Sequence, residues 1–188
     1  MPPVEPQERW EVDPTGSALE FSLRHLVIQE IRGKFHRWGG TVFIDRAQPS
    51  LSRLDIWIDA GTLDTGSGER DAHVRSSEFL DVGRFPRARF YSTAVEPFEE
   101  RIRVRGNLHL HGISREVELE VIPGPITHDA YGVARSVYTA HGTVDRQAYG
   151  LHWNQDLDVG GVVVSDRIEV SIKAELLQVP SNDSAAGR

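Results

Sequence analysis

Four groups of residues in this 188-residue chain carry side chains able to do chemistry. The run Arg70-Asp71-Ala72-His73-Val74-Arg75 places a histidine beside an aspartate and two arginines, the ingredients of a general acid–base. No nucleophile motif accompanies it, since Ser76-Ser77 lacks the glycines of a nucleophile elbow. Structure is therefore favoured over catalysis for this run. His109 and His111 fall on one face of a strand, a spacing that suits a metal. That face also carries Arg101, Arg103 and Arg105, whose charges oppose a cation, so the two read as surface histidines. His25 lies two residues beyond Leu23 on an apolar face, as a core histidine satisfied by its neighbours or as a hydrogen-bond partner for a ligand head group. Arg146 shares a face with Val144 if its strand stays regular. A buried cation needs a partner, and a salt bridge near a rim is preferred there to a ligand phosphate.

The elements that must position these residues show a period of two. Leu19, Phe21 and Leu23 alternate with polar residues, and so do Leu54, Ile56 and Ile58. Ile102, Val104, Leu108 and Leu110 share a face opposite the arginines. Val117, Leu119 and Val121 oppose three glutamates, and Ile168, Val170, Ile172 and Ala174 repeat the pattern near the C-terminus. With further candidates at 38–45, 87–97 and 134–145, about eight half-buried strands are expected. Short turns at Pro97-Phe98-Glu99-Glu100 and Leu110-His111-Gly112-Ile113 predict up-and-down neighbours. Closing such a sheet into a barrel removes its exposed edges and leaves room for packed side chains or one small ligand. Residues 69–79 break the alternation and are compatible with one short helix, ended before Phe85-Pro86.

Composition narrows the function. The net charge of −7 and the lack of a basic stripe disfavour nucleic acid and anionic membrane surfaces as partners. The absence of cysteine excludes disulfides, zinc–thiolate sites and thiol catalysis. No uncharged run is long enough to span a membrane. The first residues lack a signal-peptide pattern, so a cytoplasmic location is expected, or a periplasmic one if a signal has been removed. Residues 1–9 and 179–188 are expected to be disordered tails around one domain over 10–178.

Taken in order, these residues resemble the YceI-like family. The resemblance starts at Trp10-Glu11-Val12-Asp13 and passes through Leu19 to Leu26, Gly33-Lys34-Phe35 and Gly39-Gly40. Its most specific stretch is Arg70-Asp71-Ala72-His73-Val74-Arg75-Ser76-Ser77-Glu78-Phe79-Leu80-Asp81-Val82 with Phe85-Pro86 and Phe90. Gly106 to Ser114, Val144-Asp145-Arg146, Gly150-Leu151-His152-Trp153-Asn154 and Gly160 to Asp166 complete it. The resemblance implies a lipocalin-like barrel associated with polyisoprenoids and other lipids. It also implies that the run from Arg70 to Arg75 pins the ends of a helix onto the barrel by charge-assisted hydrogen bonds. Two positions depart from the family's pattern: Gly16-Ser17 stands for a His-Ser pair, and Ala148-Tyr149-Gly150 for Asp-Phe-Gly. If either touches a head group, the preferred ligand changes.

The fold expected is therefore an all-β, antiparallel, eight-stranded lipocalin-like barrel with one inserted helix. Its interior is expected to bind an apolar chain, such as a polyisoprenoid, an isoprenoid quinone or a fatty-acid-like lipid, without catalysis or cofactor. The contacts assigned by phase begin with Phe21, Leu23 and His25, then Ile56 and Ile58. Phe79 and Phe90 follow near the helix, and Leu108, Leu110 and Leu119 on the central strands. Tyr138, Arg146, Trp153 and Ile172 complete the set. Gly106, Ala140 and Gly142 are expected to leave open volume between the large side chains. Trp57 and Phe43 face outward and offer a homodimer contact. The alternatives are a hydrolase or isomerase using His73 or His25, and a stress-related protein with a filled barrel.

Overall fold

In the computed structural model the described residues are 7–25, 29–152 and 164–180, with the side chain of His25 outside that set. The strands are β1 (Glu8–Val12), β2 (Ala18–His25), β3 (Gln29–Phe35), β4 (Trp38–Ile44), β5 (Arg53–Asp59) and the short β6 (Leu63–Asp64). One helix, α1 (Gly68–Arg75), separates them from β7 (Arg87–Phe98), β8 (Arg101–Leu110), β9 (Ile113–His128), β10 (Ala134–Asp145) and β11 (Arg167–Gln178).

These strands form eight staves. β1 and β2 lie end to end along β11, with Val12 opposite Leu176 and Ala18 opposite Lys173. The turn Pro14-Thr15-Gly16 interrupts them, and Asp13 N–H and Ser17 Oγ still bond to the Glu175 backbone there. In the same way β3 and β4 pair with β2 and β1 respectively, and β5 and β6 pair with β4 and β3. From β7 to β11 each strand pairs antiparallel with the next, and β11 closes on β1 and β2. The result is a closed eight-stranded antiparallel barrel of sequential neighbours, as the alternation predicts. Register shifts between Ser92 and Ala94 and between Ser136 and Tyr138 mark bulges, which bend strands into a closed wall.

The alternation hides three strands, β1, β3 and the two-residue β6. Ile31, Gly33 and Phe35 of β3 share an inward face, but the glycine at the centre of that row mutes the signal. A Cβ at Gly33 would lie 2.3 Å from Phe21 Cζ, so the ring of the paired residue occupies the space. Glu8 and Arg9, expected in the N-terminal tail, pair with Ile44 and Phe43 in β1. The helix is also shorter than 69–79. It starts at Ser67, whose hydroxyl accepts the Arg70 N–H, and stops at Arg75. Ser76 donates both its N–H and its hydroxyl to His73 O, and Leu80 N–H reaches back to Val74 O. These bonds take the carbonyls that another helical turn would need.

Candidate functional site

The inward faces do not fill the barrel. A cavity of about 730 Å³ runs through it, from Arg46 and Pro49 beyond the end of β4 to Arg70 and His73 on α1. Its walls are the rows that the alternation places inside: Leu19, Phe21 and Leu23 of β2, Leu54, Ile56 and Ile58 of β5, and their counterparts on β8, β9 and β11. Around it, Trp10, Trp38, Val42 and Leu176 form one buried cluster, and Phe90, Val104, Val121 and Ala140 another. A third, built on Leu63, Leu80, Tyr149 and Leu151, closes part of the α1 end.

Among the described residues β3 pairs on this side only with β6, at Lys34 and Phe35, and α1 packs beside β6. Gln29, Ile31, Thr65, Arg70, His73 and Val74 all line the cavity there.

Side chains of α1 fasten it to the chain just before it. Arg70 donates Nε to Thr65 Oγ1 (2.7 Å) and Nη2 to Thr65 O (2.8 Å). The buried Asp71 accepts Thr65 N–H (2.9 Å) and its hydroxyl (2.5 Å), and Arg75 donates to Leu63 O. This is the pinning role expected of the run. His73 pairs with Glu78 at 3.0 Å and yet stands on the cavity wall.

Arg146 is fully buried. β10 ends at Asp145, whose carboxylate caps a 3-10 turn over Arg146–Tyr149, so the strand does not continue regularly to carry Arg146 as Val144's neighbour. Its guanidinium bonds Asp166 at 2.9 Å, Ser165 O at 3.1 Å and the carbonyls of Leu151 and Val164. It ties the end of β10 to the start of β11 and also borders the cavity. At the opposite end, Arg46 is held by both carboxylate oxygens of Glu8 at 2.7 and 2.8 Å. That guanidinium keeps the Glu8 carboxyl below its ordinary range against the opposing effect of burial.

The structure brings together most of the assigned contacts. Phe21, Leu23, Ile56, Ile58, Phe79 and Phe90 line the cavity. Leu108, Leu110, Leu119, Tyr138, Arg146 and Ile172 line it too. Trp153 and the His25 side chain lie outside the described residues. Phase did not find Ile31 and Phe35, for the reason given at Gly33, nor Arg70 and His73, which no strand pattern covers.

Three expectations are corrected. His109 and His111 do not share a strand face, because β8 ends at Leu110. His111 (φ +50) and Gly112 (φ +75) form the tight two-residue turn into β9, as positive φ at both positions allows. The His111 ring bonds Tyr149 O at 3.0 Å and meets Phe85 edge-on. Gly106 does not border the cavity, since a Cβ there would lie 2.5 Å from Phe90 Cζ; Ala140 and Gly142 do line it, although a Cβ on Gly142 would lie 2.5 Å from Leu119 Cδ2. The departures at Gly16-Ser17 and Ala148-Tyr149 do not reach the cavity. Ser17 bonds the β11 backbone, and Tyr149 is buried in the cluster beside it.

Among the described residues no group of three or more His, Asp or Glu side chains is placed to hold a metal, and no helix is long and apolar enough to cross a membrane. Trp57 and Phe43 face outward, each beneath an arginine, Arg87 and Arg53.

Known proteins place this geometry. Protein YceI of Salmonella newport is 31% identical over 171 residues, covering 90% of this chain and 86% of the relative. The crystal structure of Burkholderia cenocepacia BcnA matches with a TM-score of 0.72 at 21% identity, covering 89% of this chain and 99% of that one. A polyisoprenoid binding domain from Saccharophagus degradans, implicated in plant cell wall breakdown, matches at a TM-score of 0.61 and 15% identity over 90% of this chain and 98% of that one. The YceI-like domain model matches residues 10–176, nearly the whole barrel, and the chain belongs to the YceI-like family.

Proposed function

We propose that this protein is a binding barrel that holds an apolar, chain-like molecule inside it and performs no reaction on it. The observation that carries the reading is the internal cavity of about 730 Å³ walled by aliphatic and aromatic side chains. Each methylene buried there contributes roughly 0.8 kcal/mol, so a long chain binds with few polar contacts. Three of the charged or titratable groups that reach the wall are engaged with the protein itself: Arg46 with Glu8, His73 with Glu78, Arg146 with Asp166. Such pairing supports holding over catalysis, which needs a group presented to the reacting atoms. Polyisoprenoids, isoprenoid quinones and fatty acids are the chain shapes such a cavity suits, and the fold shared with the S. degradans polyisoprenoid binding domain favours the first.

Native mass spectrometry of freshly purified protein, followed by solvent extraction, tests this. The expected result is one apolar adduct per chain, and saturable binding when prenyl alcohols, quinones or long-chain fatty acids are returned to stripped protein. Absence of both an adduct and any such binding would overturn it.

A further inference from the structure

Three arginines line the cavity among the described residues, and their partners differ in kind. Arg46, at the end beyond β4, is neutralised by both oxygens of Glu8. Arg146 is neutralised by Asp166 and wrapped in backbone carbonyls. Arg70 forms no ion pair with any described residue. Its bonds go to the neutral Thr65 hydroxyl and carbonyl, through Nε and Nη2, and Nη1 is left over. The nearest acid in its network, Asp71, reaches it only through Thr65 Oγ1, at one remove. Glu20, an exposed carboxylate on the same wall, is not paired with it. Beside Arg70, one helical turn on, His73 also lines the cavity, with Glu78 as its partner.

A half-buried guanidinium facing an apolar space is costly unless an anion answers it. The fork geometry suits a carboxylate or phosphate, and charge-assisted bonds of this type are the strong ones. The site is bordered by α1 and the short β6, with Gln29 and Ile31 of β3 on the same stretch of cavity wall.

We propose that the α1 end of the cavity is a head-group site for an oxyanion at the end of an apolar chain, and that Arg70 is the residue that selects it. This rests on the binding function proposed above. The shared chemistry is a carboxylate or a phosphate monoester, and the chain lies with its tail toward Arg46.

The test uses two matched pairs on the stripped full-length chain: hexadecanoic acid against hexadecanol, and geranylgeranyl phosphate against geranylgeraniol. The acid or the phosphate binds about tenfold tighter than its alcohol, the scale of one charge-assisted hydrogen bond. Whichever pair shows the gap identifies the source of the oxyanion. Arg70→Gln brings that pair within about twofold, and Arg46→Gln preserves the gap. No gap in the parent protein, a gap that survives Arg70→Gln, or one that vanishes with Arg46→Gln overturns the proposal. If the alcohols bind without a gap, only the head-group assignment falls; if none of the four molecules binds, the binding barrel falls with it.

Should Arg70→Gln fail to fold, orientation decides the matter. The chain has no cysteine, so Glu69→Cys accepts a single nitroxide on the exposed side of α1. The nitroxide broadens the magnetic resonance of the head-group carbon or phosphorus and spares the terminal methyl. The reverse pattern, or equal broadening, overturns the assignment.

Discussion

At Tyr149 the phenol is buried, and its hydroxyl has no hydrogen-bond partner among the described residues. Burial pushes its pKa up to about 12, with Arg115 pulling the other way. A tyrosine in the unfolded chain titrates near pH ~10. The preference for the neutral phenol is therefore fully present below that value and is lost as pH rises through about 12. Tyr149→Phe removes a hydroxyl that pays desolvation without a bond. It is expected to leave stability at neutral pH unchanged or raise it by about 1 kcal/mol, and to flatten the loss above pH ~10 seen in urea titrations. Arg146 is the opposite case. Arg146→Ala strands Asp166 and three carbonyls at once, and is expected to cost about 3 kcal/mol or more in the same measurement. A cost near zero would mean that the network contributes nothing beyond its own desolvation.

The strands fit one another through places where a side chain is missing. At Gly106 a Cβ would lie 2.5 Å from both Phe90 Cζ and the Tyr91 carbonyl, and the second of these is backbone that cannot swing away. Gly106→Ala is expected to destabilise by about 1–3 kcal/mol, read from thermal or urea unfolding, with β7 and β8 forced apart next to the Ser92 bulge. The same logic governs what was legible at this scale. β2, β5, β8, β9 and β11 announce themselves because every second residue is apolar. β3 does not, because Gly33 yields its place to Phe21, and a space filled from the neighbouring strand leaves no mark in a strand's own sequence. The helix boundary escaped for a related reason: Ser76 is an ordinary helix residue until its hydroxyl takes the His73 carbonyl.

For the molecule as a whole, the interior is a compromise between packed clusters and an open cavity. Ala140 sits on that boundary, buried and on the cavity wall. Ala140→Leu pushes a larger side chain into the open space, not into neighbouring backbone. The expected outcome is a thermal stability equal to or above the parent's and chain-ligand binding weaker by about tenfold or more, because overpacking a filled slot costs 1–3 kcal/mol. Unchanged ligand affinity would show that the ligand does not occupy the middle of the barrel. Read together with the Arg70 pairs, this separates where the chain lies from what holds its end.

The sequence by itself determined that the chain is an all-β barrel of about eight sequential antiparallel strands and which residues of the clear strands face inward. Period-two alternation is a local property: each side chain's face follows from its neighbours' faces along one strand. It also marked Arg70 to Arg75 as a pinned helix, through the resemblance that those residues carry. Only the tertiary structure decided that the interior is hollow, that Gly106 does not make it so, and that Arg70 and His73 reach it. Those facts depend on distances between strands far apart in sequence, and on where α1 sits beside β6. Hydrophobic phase says which way a side chain points; whether another side chain meets it there is settled only when the barrel closes.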